Sequence, residues 1–69
     1  MERQKVSSSN ISSIGYHAET QTLEIEFLNG AIYQYFDVPK HVFEELMRAP
    51  SHGQYLAKYI KGYYRFARV

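Results

Sequence analysis

Apolar and polar residues alternate most clearly in residues 22–27, where the apolar side chains would share one face of a half-buried β-strand. The pair Asn29-Gly30 follows and is a strong hairpin signal, because both residues tolerate a positive φ. Residues 31–36 are rich in strand-forming side chains and predict the returning strand. A further short strand is predicted before the hairpin, at residues 14–18.

The hairpin has two plausible registers, and a slip of one residue exchanges the two faces of the strand. A two-residue loop would place Tyr33 and Tyr35 on the acidic face. A three-residue loop with a bulge at Gly30 would pair Tyr33 with Ile25 and place both tyrosines on the core face. Gln34 favours the bulged loop, because the other register would leave its amide among apolar residues. Ile32 and Phe36 favour the two-residue loop, because the bulged loop would turn them outward. We take the bulged loop, with the tyrosines in the core.

Helical spacing replaces alternation after Pro39, which suits a first helical turn. Apolar residues recur at positions 42, 43, 46 and 47 and predict an amphipathic helix from Pro39 to Arg48, which Ala49-Pro50 ends. Ser51 and Gln54 have the spacing of a capping box and predict the start of a second helix.

The second helix is predicted to bury one stripe of side chains and to end at Gly62 in a left-handed conformation. The stripe consists of Tyr55, Leu56, Tyr59, Ile60 and Tyr63. We therefore expect Tyr59 and Tyr63 to be in the core and Tyr64, outside the stripe, to be the more exposed ring. Alternation returns in residues 63–69 and predicts a last strand.

The predicted order of elements is β-β-β-α-α-β, an α+β fold with a small antiparallel sheet and two helices packed on one face. Residues 1–10 are polar and are predicted to be a flexible lead-in, and residues 11–69 to form a single domain. The 69 residues contain no cysteine and no apolar run long enough to span a membrane, and a polar stretch follows residues 1–5 where a signal peptide would be apolar. We expect a cytoplasmic domain that does not bind membranes.

Charge is distributed unevenly, although the net charge is only +1. Residues 16–45 contain six acids and one base, whereas residues 46–69 contain five bases and no acid. A basic region of this kind suits an anionic partner. It would equally result from attraction between the two halves or from solvated charges.

No catalytic motif, metal site or cofactor site is predicted. The three histidines lack the spacing of metal ligands, no serine lies in a nucleophile motif, and the glycines are isolated rather than grouped in a phosphate loop. We expect no enzyme activity and no cofactor.

Basic and aromatic residues alternate near the C-terminus, a composition that suits single-stranded nucleic acid, because cations bind phosphates and rings stack on bases. The candidate contacts, chosen because no acid lies near them in sequence or because the ring lies outside the apolar stripe, are Lys58, Lys61, Tyr64, Arg65 and Arg68.

The ordered series of motifs resembles the KTSC domain, a family found at the C-terminus of some lysyl-tRNA synthetases and as small free-standing bacterial proteins. The series comprises Leu23-x-Ile25-x-Phe27-x-Asn29-Gly30, Tyr33-x-Tyr35, Val38-Pro39, Ala49-Pro50-Ser51-x-Gly53-x-Tyr55 and Ile60. The Tyr33-x-Tyr35 pair is its most recognisable part. The resemblance implies no catalytic residue, and the synthetase context suggests RNA binding. Ala57 stands where the family pattern has an asparagine.

The first functional hypothesis is therefore a non-catalytic module that binds RNA through its basic C-terminal half. The alternative is a protein-interaction module that recognises an acidic partner or associates with itself, with an exposed edge strand at residues 22–27 or at the C-terminus available for pairing. The sequence does not decide the oligomeric state.

Overall fold

The structure, a computed structural model, describes residues 1–69 and contains one five-stranded antiparallel sheet, with the strands in the order β1-β2-β3-β4-β5. The elements are β1 (Gln4–Lys5), β2 (Ile11–His17), β3 (Thr22–Phe27), β4 (Ile32–Tyr35), α1 (Lys40–Arg48), α2 (His52–Tyr55), a π-helical segment (Leu56–Ile60) and β5 (Phe66–Arg68). This confirms the predicted α+β class.

The hairpin between β3 and β4 has the bulged three-residue loop. Ile25 lies opposite Tyr33, and the backbone N–H of Phe27 donates to the carbonyl of Ala31 at 2.9 Å. Gly30 has a φ of 92°, a conformation that favours glycine. This register confirms that both tyrosines of the Tyr-x-Tyr pair lie on the core face, where Tyr35 is buried and Tyr33 is partly buried.

The helices bury their apolar stripes against this same face of the sheet. Val42, Leu46, Leu56 and Ile60 join one core with apolar residues of β2, β3, β4 and the segment before α1. At the edge of the core, the rings of Tyr16 and Phe43 stack with their centroids 4.8 Å apart. Burial of these side chains is the main source of stability in a chain without crosslinks.

The second helix begins as predicted, since the Ser51 hydroxyl accepts from the Gln54 backbone N–H at 3.2 Å. It then widens, because the Lys61 N–H reaches the carbonyl of Leu56, five residues back, at 2.8 Å. Gly62, with a φ of 84°, follows this wider turn.

The wider turn overturns the predicted burial of the tyrosines. A π-turn advances less per residue than an α-turn, so Leu56 and Ile60 keep the core while Tyr59 is rotated away from it. Tyr63 comes directly after Gly62, where the backbone is left-handed. Tyr59 and Tyr63 are 50% and 73% exposed, whereas Tyr64 is partly buried against the core.

The N-terminal residues also differ from the prediction of a flexible lead-in. Gln4 and Lys5 form β1 and lie opposite Ile14 and Ser13, and β2 begins at Ile11, three residues earlier than expected. Two residues are too few to produce a detectable pattern of alternation.

Candidate nucleic-acid interface

Two neighbouring strands project their side chains into a groove on the core face of the sheet. Tyr33 and Tyr35 come from β4, and Phe66 and Arg68 come from β5, with Tyr35 opposite Phe66 and Tyr33 opposite Arg68. Because side chains of a strand alternate between faces, the motif Tyr-x-Tyr and the sequence Phe-x-Arg meet on one side. The groove has a volume of about 520 Å³. We call it the hairpin groove and define it by its principal lining residues, which are Phe27, Tyr33, Tyr35, Lys61, Gly62, Phe66 and Arg68.

Aromatic rings form much of the lining of the hairpin groove. The Phe66 centroid lies 5.9 Å from that of Tyr33 and 6.0 Å from that of Tyr35, and Phe27 meets Tyr33 edge-on at 5.8 Å. Phe66 is 59% exposed. The groove therefore offers an accessible ring on which a planar ligand can stack.

Two cations adjoin these rings. The Lys61 ammonium lies 5.5 Å from the centroid of Phe27, within the range of a cation–π contact. Neither Lys61 nor Arg68 forms a salt bridge, so both charges are available to an anion.

The phenol of Tyr35 lies at the buried side of the hairpin groove. Burial, with a smaller contribution from neighbouring Tyr33, raises the pKa of Tyr35 above its ordinary value. A protonated phenol can donate a hydrogen bond to a base or a phosphate oxygen.

A second depression of about 560 Å³ adjoins the first, and we call it the tyrosine groove. It is lined by Phe36, Gly62, Tyr63, Tyr64, Arg65 and Phe66. The Arg65 guanidinium lies 5.5 Å from the Phe36 centroid and donates to Asp37 at 2.8 Å. No acid lies near Arg65 in sequence, but the fold brings Asp37, which is 28 positions away, into contact with it.

The structure divides the five predicted contacts among three places. Lys61 and Arg68 lie in the hairpin groove, and Tyr64 and Arg65 line the tyrosine groove. Lys58 lines neither and lies 5.4 Å from the ring of Tyr59.

Sequence reasoning missed Phe27 and Phe66 as groove residues. The alternation of the last strand, which places Phe66 on the same face as Arg68, carried the signal for the second of them. The alternation of residues 22–27 places Phe27 on the core face, and the structure adds that Lys61, at the end of the π-helical segment, lies against its ring.

The opposite face of the sheet carries a closed polar network. Glu24 is buried there and receives hydrogen bonds from Arg3 and from Gln34, the latter at 2.8 Å. Burial alone would raise the pKa of Glu24, but the hydrogen bonds from Gln34 and Arg3 and the charge of Arg3 outweigh it and hold that pKa below its ordinary value. Ser13 links Arg3 to Glu26. The charge of Arg3 is therefore paired with the acids of this face, and the unpaired cations Lys61 and Arg68 lie on the groove face.

The histidines lie apart from both grooves. No three histidine, cysteine, aspartate or glutamate side chains are close enough together to hold a metal ion. His52 instead contacts the carbonyl of Leu46 at 2.8 Å, at the end of α1.

None of the helices has the length and apolar character needed to cross a membrane.

Comparison with known proteins gives consistent results at the level of family and of fold. A profile of the KTSC domain matches residues 7–64. A crystal structure of a KTSC domain protein from Yersinia pestis superimposes with a TM-score of 0.93, at 40% identity, covering 99% of this chain and 96% of the other. An uncharacterised protein from Stutzerimonas stutzeri is 40% identical over 70 residues, which cover 100% of this chain and 99% of the relative.

Larger relatives contain a similar segment. A lysine–tRNA ligase from Nostoc punctiforme is 46% identical over 65 residues, or 94% of this chain. The match spans only 12% of the length of that ligase. The matched family profile, the superimposed structure and the full-length relative agree, and the chain belongs to the KTSC domain family.

Proposed function

We propose that this KTSC domain is a non-catalytic module that binds single-stranded RNA in the hairpin groove. One observation carries the proposal: the exposed ring of Phe66 lies in a groove together with Lys61 and Arg68, two cations without acidic partners. Single-stranded nucleic acid needs this combination, because bases stack on rings while cations attract the backbone.

Two further observations support RNA as the ligand. The curated relatives that contain the segment include enzymes named lysine–tRNA ligase, a name that includes tRNA. In addition, the acidic side chains of β3 do not face the groove, because Glu24 and Glu26 lie on the other side of the sheet and contact Arg3. A cytoplasmic location is part of the same proposal, since it would give the domain access to tRNA.

The direct test is fluorescence anisotropy with a labelled single-stranded RNA of eight nucleotides. The double variant Lys61→Glu, Arg68→Glu is expected to weaken binding about tenfold or more, because it reverses the two free charges of the groove. The control is Lys40→Glu, Arg48→Glu, which makes the same change in net charge at exposed positions outside both grooves. Equal losses in the two double variants would show that only net charge matters and would contradict the site.

A protein-interaction function is the second candidate, and the edge of the sheet favours it. β5 is the last strand in the sheet and all three of its residues are exposed, so one side of its backbone is open to a partner strand. The other predicted edge, residues 22–27, is wrong, because β3 is paired on both sides.

Light scattering without RNA separates the two candidates. Self-association through opposite charges predicts a dimer at low salt that dissociates at high salt. A molecular mass of one chain at both salt concentrations would leave RNA binding as the better account.

A further inference from the structure

The hairpin groove and the tyrosine groove are two parts of one track rather than separate sites. Both are lined by Gly62 and Phe66. We infer, on the basis of the proposed function, that the track takes two consecutive nucleotides, with the phosphate and one base in the hairpin groove and the neighbouring base stacked in the tyrosine groove.

Gly62 lines both grooves and has open space beside its backbone. A Cβ atom built at this position would meet no atom within 4 Å, so the space above the backbone is free. The left-handed φ of 84° also disfavours a larger residue here. Phe66 is therefore the side chain that both grooves share, and each of two successive bases can contact it.

The two grooves differ in charge. Lys61 and Arg68 in the hairpin groove have no acidic partner, whereas Arg65 in the tyrosine groove is paired with Asp37 and packed on Phe36. The tyrosine groove thus presents rings, above all the 73% exposed Tyr63, with a guanidinium whose charge is already offset. A site of this composition suits a base better than a phosphate.

This division predicts two distinct effects of salt. Each phosphate contact contributes about −0.7 to the slope of log affinity against log salt concentration for single strands, whereas stacking on a ring contributes almost nothing to it. Removal of the hairpin-groove cations should make the slope shallower. Removal of Tyr63 should weaken binding equally at every salt concentration.

The experiment compares Tyr63→Ala with Tyr59→Ala, using labelled octauridine at several salt concentrations. Tyr59 is the matched control, because it is an exposed tyrosine four residues earlier that lines neither groove. We expect Tyr63→Ala to weaken binding about fivefold or more with the wild-type slope, and Tyr59→Ala to bind as the wild type does. The double variant Lys61→Gln, Arg68→Gln should have a shallower slope.

Unlabelled UpU, which has two bases and one phosphate, then tests the length of the track by NMR. It should shift the amide signals of Lys61, Phe66 and Tyr63, whereas uridine monophosphate should leave Tyr63 unchanged. If octauridine binds and depends on Lys61 and Arg68 but Tyr63→Ala binds as tightly as Tyr59→Ala, the two-nucleotide track is wrong and the proposed function stands. If no RNA binds the wild type, both are wrong.

Discussion

Glu24 is a carboxylate on the sheet face opposite the helices, and it is nevertheless buried. Arg3 donates to it from the residue before β1, and Gln34 donates to it from β4. A buried charge of this kind is tolerated because its hydrogen bonds replace those of water. At the scale of single residues, the hydrogen-bond partners of Glu24 therefore determine how much this carboxylate contributes to stability at each pH.

The lowered pKa of Glu24 predicts an acid-sensitive contribution to stability. A carboxyl group whose folded pKa lies below its unfolded value stabilises the fold fully above the unfolded pKa, and this contribution disappears as the pH falls through the folded pKa. Urea unfolding at pH 7 and pH 3 should show a smaller acid-induced loss for Glu24→Gln than for the wild type. At pH 7 the variant should be less stable by about 2 kcal/mol, because Arg3 loses a charged acceptor.

Glu19→Gln is the matched control for this pH experiment. Its side chain is 91% exposed and only 3.9 Å from His17, a weak surface contact. Its acid-induced loss of stability should equal that of the wild type. If Glu24→Gln loses as much stability on acidification as the wild type does, Glu24 is not the source of the acid-sensitive contribution.

At the scale of elements, the docking of β1 depends on the glycine at position 15. A Cβ atom there would lie 2.6 Å from the Glu2 carbonyl oxygen and 2.9 Å from the Cγ of Arg3. Gly15→Ala should therefore displace β1, with a loss of about 1–3 kcal/mol in the free energy of unfolding. Hydrogen exchange at Val6, whose backbone N–H donates to the carbonyl of Ser12 at 3.2 Å, should accelerate more than exchange in β3.

Gly53→Ala provides the contrast for this prediction. The three atoms nearest to its Cβ would all belong to the side chain of Asn10, which is exposed and able to turn away, and alanine favours the helix in which it lies. We expect the variant to be at least as stable as the wild type. If both alanine variants lose the same stability, the close packing of β1 does not explain the effect at Gly15.

Local patterns were sufficient to predict most elements of the fold. Alternation predicts the hairpin, and Gln34 favours the register that the structure has, whereas Ile32 and Phe36 favour the other register. Capping by Ser51 was likewise predicted from its spacing to Gln54.

Three features depend on contacts or geometry that local patterns do not contain. β1 is only two residues long and is associated with the contact of Arg3 with Glu24, 21 positions away. The π-turn at Leu56 alters the helical period on which the predicted burial of Tyr59 rested. The hairpin groove forms because β4 pairs with β5, although both helices separate the two strands in sequence. Only this pairing shows that Tyr35 lies opposite Phe66.

At the scale of the whole molecule, the sheet separates two kinds of charge. The face opposite the helices carries Glu24 and Glu26 with Arg3, and the groove face carries Lys61 and Arg68 without partners. The charge asymmetry seen along the sequence thus corresponds in part to an asymmetry between faces. An anion approaching the hairpin groove meets unpaired cations, whereas one approaching the other face meets side chains that are already paired with one another.

The measurement that tests this account most directly is an NMR titration of the labelled wild-type protein with single-stranded RNA at two salt concentrations. The account predicts saturable shifts centred on Lys61, Phe66 and Arg68, with weaker binding at the higher salt concentration and with Glu24 and Gln34 unaffected. An unchanged spectrum in excess RNA, or shifts centred on the Glu24 face, would contradict it.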